Sequence, residues 1–172
     1  MADEILCSIK DRVATITLNR PDKRNAMNRA LLSGLRSIFG QLEHNPEVRV
    51  VVVTGAGRAF CAGMDLDEMK ERGGEADPEA DVVEVLQEVE HSRHPTIAMV
   101  QGAAFAGGCE LALHCDLRVA ADGARFAMPL AKLGLVVPFK LGQKLVEILG
   151  PAYTRQLLFT GDPVDARRAY EV

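Results

Sequence analysis

The sequence predicts an α/β fold, on three observations. Val48 to Thr54 and Thr96 to Val100 have the β-branched, apolar composition of buried strands. Around them, apolar residues recur at helical spacing, as in Leu31, Leu32, Leu35, Ile38, Phe39 and Leu42. Strand passes to helix twice through turns of glycine and other small residues, Gly55 to Met69 and Gly102 to Gly108. At 172 residues the chain is long enough for one good core, which argues for a single domain over residues 1–172.

Taken in order, Asp11 to Leu18 alternates apolar and polar residues, so Val13, Ile16 and Leu18 suggest a strand with one buried face. Arg20-Pro21 stops it, because proline cannot donate to a ladder. The polar loop NRPDKRNAMN carries Lys23 and Arg24, and Asn28 is placed to cap the helix that follows. Asn45-Pro46 ends that helix. Val48 to Thr54 reads as a strand covered on both faces. It leads into GAGRAFCAGMDLDEM, where Asp65, Asp67 and Glu68 open another helix. Glu71 to Asp81 is glycine-rich and acidic, the composition of a lid or of a solvated connector. Val82 to Val89 is a helix with Val82, Val83, Leu86 and Val89 inward, and His91 and His94 flank its end.

Thr96 to Ala120 concentrates the chemistry. The strand Thr96 to Val100 runs into the turn Gly102 to Gly108, in which Gly107 and Gly108 leave a ligand free to approach the backbone. Cys109 to His114 reads as a short helix. A helix N-terminus at a glycine turn offers unpaired N–H groups and positive potential, and so can hold a negative oxygen. Glu110, in the first turn, is either an acid complementing the helix dipole or a general acid/base beside an oxyanion hole. Gly55 to Met69 is a second junction of the same kind, and two at corresponding strand ends suggest a composite pocket.

Beyond it, Asp116 to Ala120 and Ala124 to Ala127 read as short strands about a turn at Asp122-Gly123, and Pro129 to Pro138 as an apolar loop. Phe139 to Leu149 is an amphipathic helix stopped by Gly150, and Pro151 opens another that runs to Phe159. A last short helix starts near Pro163.

Composition excludes several function classes. A net charge of −4 without basic clusters argues against nucleic acid as the main partner. No apolar run approaches the ~20 residues of a membrane span, and the acidic N-terminus MADEILCSIK is unlike a signal peptide. Cys7, Cys61, Cys109 and Cys115 match no zinc spacing and are expected as free thiols in a reducing cytoplasm. Cys109, His114 and Cys115 read as buried helix residues, and no metal site is expected.

ITLNRPDKRNAMN, VVVTGAGRAFCAGMDL, VQGAAFAGGCELALHCDLRVA and LLFTGDPVDARRAYEV together resemble the enoyl-CoA hydratase/isomerase, or crotonase, superfamily, in its order and over the whole chain. The resemblance implies a spiral of repeated ββα units and a coenzyme A thioester as substrate, with no further cofactor. It implies that the thioester carbonyl rests between the N–H groups of Met64 and Gly107, with Glu110 as acid/base. Lys23, Arg24 and Ala26, with Ala62, Asp65 and Leu66, would line the coenzyme A path.

Two departures from the family pattern qualify this. Its hydratases carry a second glutamate where this chain has Leu130, so the two-glutamate mechanism cannot run unchanged. Hydration, or decarboxylation or hydrolysis through the same enolate, are the candidate reactions, against a non-catalytic acyl-CoA-binding protein. The family's C-terminal helices, which close the acyl pocket and join subunits, are expected to be missing, leaving a truncated helical segment. The resemblance also implies that the full-length form assembles as a homotrimer or dimer of trimers, as is common in the family.

Overall fold

After a first antiparallel pair in one sheet, successive turns of the chain lay one strand in each of two sheets and then pass into a helix. The computed structural model describes residues 3–71 and 78–172. The larger sheet is built from β1 (Ile5–Lys10), β2 (Val13–Leu18), β3 (Val50–Gly55), β5 (Thr96–Val100) and β7 (Leu117–Ala120), adjacent in that order. The smaller runs β4 (Ala59–Cys61), β6 (Ala103–Phe105), β8 (Arg125–Ala127) and β9 (Val164–Asp165). β1 and β2 are antiparallel, whereas β2, β3, β5 and β7 are parallel neighbours. β3 and β4 thus precede α2 (Leu66–Glu71) and α3 (Pro78–Glu90), β5 and β6 precede α4 (Gly107–His114), and β7 and β8 precede α5 (Phe139–Thr160). This is the repeated ββα spiral that the family resemblance implies.

α1 (Arg29–Leu42) forms where its caps and stripe require. The Asn28 side chain accepts from Leu31 N at 2.9 Å, satisfying one of the orphan donors of the first turn. Leu31, Leu32, Leu35, Phe39 and Leu42 are buried, and each contributes on the order of 1.5–3 kcal/mol of burial. They join Ile16, Leu18, Val51, Val53, Phe60, Leu86 and Leu111 in the main core. A smaller cluster of Cys109, Leu113, Met128, Leu145 and Leu157 lies under α5.

Several local readings need correction. The core face of β2 is Ala14, Ile16 and Leu18; Val13 has the opposite parity and is only half-buried. β3 is not equally covered on both faces, since Val51 and Val53 are buried while Val50 and Val52 are half-exposed. Val85 joins Val82, Leu86 and Val89 on the inner face of α3, and Val83 is half-buried. The stretch 102–108 holds a strand, β6, and α4 already begins at Gly107. β7 and β8 do not pair about Asp122-Gly123; they enter different sheets. Pro129–Leu133 is a 3-10 turn. The break at Gly150 holds, because its φ of 71° and ψ of 164° interrupt α5 there. The expected lid or connector, Glu71 to Asp81, falls mainly on residues 72–77, outside the described ones.

Candidate active site

The loop between β2 and α1 is folded onto the junction that follows β4. Asn25 is fully buried and left-handed (φ 57°), a conformation asparagine tolerates. Its Nδ2 faces the carbonyls of Ala59 at 2.8 Å and Phe60 at 3.1 Å, while its Oδ1 accepts from Arg20 N at 2.9 Å. Arg20 in turn pairs with Asp65 at 2.9 Å and with Glu4 at 3.3 Å. Met27 N donates to Gly63 O at 2.7 Å, and Asp65 N donates to Met27 O at 2.9 Å. These two bonds make a parallel bridge between Met27 and Met64 that uses the neighbours of Met64. By strand alternation the N–H of Met64 itself is turned away from Met27.

α4 reaches the same place from the other sheet. β6 ends at Phe105, and Ala106 follows with φ 48° and ψ −121°, a strained conformation for any residue with a Cβ. Gly107 is the first helical residue, so its N–H has no intrahelical acceptor. A Cβ on Gly63 would stand 3.4 Å from Gly107 N, which places the helix start against the residue before Met64. Gly108 serves the protein rather than a ligand, since a Cβ there would lie 2.2 Å from the Cys61 carbonyl oxygen.

A cavity of about 510 Å³ opens over this junction. All ten residues singled out from the sequence line it: Lys23, Arg24, Ala26, Ala62, Met64, Asp65, Leu66, Gly107, Glu110 and Leu130. Met128, Leu133, Leu135, Val137 and Leu141 make much of the remaining wall apolar. Lys23 and Arg24 are exposed, and Lys23 Nζ donates to Asp67 at 2.9 Å, which raises the lysine's pKa. The Asp65 carboxylate is already engaged. Burial opposes its charge, but Arg20 and the Asp67 and Glu68 amides outweigh that and hold it below the usual carboxylate value.

Glu110 is the unusual group. It is 1% exposed, and neither carboxyl oxygen has a hydrogen-bond partner. Burial pushes its pKa up to about 8. An acid that only complements a helix dipole has no reason to leave water unpaired, because burying such a group is costly. Its helix neighbour His114 places Nδ1 3.9 Å from Glu110 Oε2 and 2.8 Å from the Glu110 carbonyl.

Sequence reading missed Arg20, Asn25 and Ala106 as builders of this site. Arg20 and Asn25 sit in the polar loop that was noted, but their partners come from distant segments. An alanine gives no sign of a positive φ. Among the described residues no cluster of His, Cys, Asp and Glu could hold a metal ion, and no helix is long and apolar enough to cross a membrane.

Two interleaved sheets of this topology, with strand-to-helix ends meeting over a buried carboxyl, define a crotonase-fold protein. Residues 8–172 match the enoyl-CoA hydratase/isomerase family, and the chain belongs to it. It is 35% identical over 173 residues to the short-chain-enoyl-CoA hydratase of Clostridium acetobutylicum, covering 99% of this chain and 66% of that protein. It is 35% identical over 168 residues to the 2,3-dehydroadipyl-CoA hydratase of Escherichia coli, covering 98% and 66%. The crystal structure of enoyl-CoA hydratase from Bacillus anthracis superposes with a TM-score of 0.89 at 34% identity, over 98% of this chain and 67% of that one. The chain spans about 66% of the length of the two hydratases.

Proposed function

We propose that the cavity binds an acyl-CoA thioester and stabilises its enolate, with Glu110 moving the proton. The observation that carries this reading is a buried carboxyl without a hydrogen-bond partner in a cavity that Met64 and Gly107 also line. The thioester oxygen would accept from both N–H groups, which are worth most where charge develops on it; one such donor contributes roughly 2.7–4 kcal/mol. In hydration, ionised Glu110 takes a proton from water as the water oxygen bonds to Cβ. The C=C electrons pass to Cα and the thioester oxygen, and the Glu110 carboxyl then gives its proton to Cα. This chemistry calls for no cofactor beyond the coenzyme A of the substrate. The exposed Lys23 and Arg24 suit its phosphates, and the apolar wall suits the acyl group.

Leu130 favours a second reading. Without a carboxyl at position 130, the site also suits decarboxylation or hydrolysis through the same enolate, or binding without turnover. Turnover of crotonyl-CoA and of malonyl-type CoA esters, with Glu110→Gln as control, separates these. Turnover of neither, with thioester binding retained, would leave the binding protein. The family resemblance also suggests assembly as trimers or dimers of trimers, for which the uncovered apolar Leu117 and Val119 of β7 offer surface. Four free cysteines fit a reducing cytoplasm.

A further inference from the structure

Behind Glu110, His114 connects the buried acid to a different opening. Its Nδ1 lies 2.8 Å from the Glu110 carbonyl. A carbonyl only accepts, so Nδ1 carries the hydrogen and the neutral ring keeps its lone pair on Nε2. Nε2 faces Glu90 Oε2 of α3 at 4.0 Å, in a cleft of about 300 Å³ separate from the cavity that Glu110 lines. The other Glu90 oxygen is held by Lys144 Nζ at 2.8 Å. Among the described residues, His114 is the one basic side chain within 4.0 Å of the Glu110 carboxylate.

We infer that His114 is the counter-charge of Glu110: as the acid ionises toward the cavity, the imidazole takes up a proton on Nε2 from the rear cleft. One proton leaves a Glu110 oxygen and one arrives at Nε2, so the buried pair stays neutral overall. Glu90 steadies the imidazolium from the solvent side. The other charged groups lining that cleft are Lys140, Lys144 and Glu147 of α5, of which Lys144 and Glu147 act on the ring electrostatically. β5 and β6 contribute no titratable group, and Cys61 of β4 is a thiol that burial pushes up to about 12. Burial lowers the pKa of His114, against the Glu110 carbonyl and Glu90, which raise it, so the ring rests uncharged with its Nε2 lone pair open to the cleft. His114 is therefore a positioning residue, acting through Glu110. The inference rests on the acid/base reading of Glu110 for its use in turnover, but it is testable without turnover.

The test is an infrared titration of the Glu110 carboxyl, with Glu110→Gln as difference reference, in the parent and in His114→Asn. The asparagine amide can keep the hydrogen bond to the Glu110 carbonyl but cannot take up a proton. The Glu110 midpoint should rise by about one unit or more, a tenfold or greater loss of the ionised form at fixed pH. An unchanged midpoint overturns the inference. The reciprocal measurement needs no substitution at His114: its ring nitrogens, followed by NMR, should titrate lower in Glu110→Gln than in the parent, and an equal midpoint overturns it. Unchanged midpoints beside lost turnover in Glu110→Gln would reject the counter-charge and leave the acid/base reading standing.

Discussion

Gly108 and Cys61 are packed backbone to backbone: a Cβ on Gly108 would stand 2.2 Å from the Cys61 carbonyl oxygen and 2.7 Å from its carbonyl carbon. This contact sets the first turn of α4 directly on β4. It therefore fixes the spacing between the N–H of Gly107 and that of Met64, three residues beyond Cys61. Backbone atoms cannot yield to a methyl group as a side chain tip can. Gly108→Ala should cost about 1–3 kcal/mol of stability or more, read by urea unfolding. In the folded fraction it should lower kcat for thioester turnover more than it weakens thioester binding. An unaffected melt and kcat would refute this role for the contact.

The fold class and the ingredients of the site were legible because each has a local signature. Runs such as Val48 to Thr54, the stripe from Leu31 to Leu42, and the break at Gly150 depend on neighbours in sequence. The two glycine junctions and Glu110 were visible in the same way. β4, β6 and β9 were not: strands of two or three residues carry little alternation, and of the four such strands only β8, beside the Asp122-Gly123 turn, is legible. β1 carries no local signature either; only its pairing with β2 makes its exposed residues a strand. Asn25, Arg20 and His114 act through partners 20 or more residues away as well as local ones, which a linear pattern does not reveal.

Ala106 holds φ 48° and ψ −121° at the entry to α4. Glycine occupies that region freely, while a residue with a Cβ is strained there by about 1–3 kcal/mol. Ala106→Gly should leave stability unchanged or raise it by up to about 2 kcal/mol, after the extra unfolded-state entropy of glycine is set against the relief. Ala106→Val should destabilise. Thermal melts of the two variants check the pair, and a clear loss of stability in the glycine variant would contradict the strain.

The raised pKa of Glu110 also sets a pH dependence of stability. Its carboxyl ionises near 4.5 when unfolded and at about 8 when folded. Between those values the folded state binds the extra proton, so stability is full below about 4.5 and is lost as pH rises toward about 8, at roughly 1.4 kcal/mol per unit. Glu110→Gln removes this slope. The variant should gain on the parent steadily from pH 5 to pH 8 in urea unfolding. Asp65 works in the opposite sense below its ordinary 3.8, and His114, lowered from 6.5, works in the opposite sense within the window, so the effect is read from the difference between the two profiles, not from the parent's slope alone. Parallel pH profiles for parent and variant would show that Glu110 is not held protonated by burial.

A structure with a bound thioester tests the two candidate donors. The thioester oxygen should lie about 2.7–3.1 Å from both Met64 N and Gly107 N. If the oxygen sits elsewhere while both junctions are ordered, the assignment of the pair fails.

Under the proposed function, Leu130 decides how far the site departs from a two-glutamate hydratase. It lines the same cavity as Glu110, among Met128, Leu133 and Leu135, so attacking water meets hydrocarbon on that wall. Leu130→Glu supplies a second acid/base, and such a group is worth up to about 10²-fold in crotonyl-CoA hydration if it can be oriented. The gain should be smaller where the 3-10 turn Pro129–Leu133 does not aim the carboxyl, since a misplacement of ~1 Å is costly. Leu130 is itself half-buried against the cluster under α5, so a carboxylate there should also cost stability unless it reaches water through the cavity. Steady-state hydration, a melt and thioester binding, measured together on the variant, separate these effects. Hydration at the parent level in a folded, thioester-binding variant would count against Leu130 as the position of the second group. A parent that already hydrates crotonyl-CoA at an ordinary enzymatic rate would show that Glu110 alone carries the proton cycle, and the missing glutamate would then limit nothing.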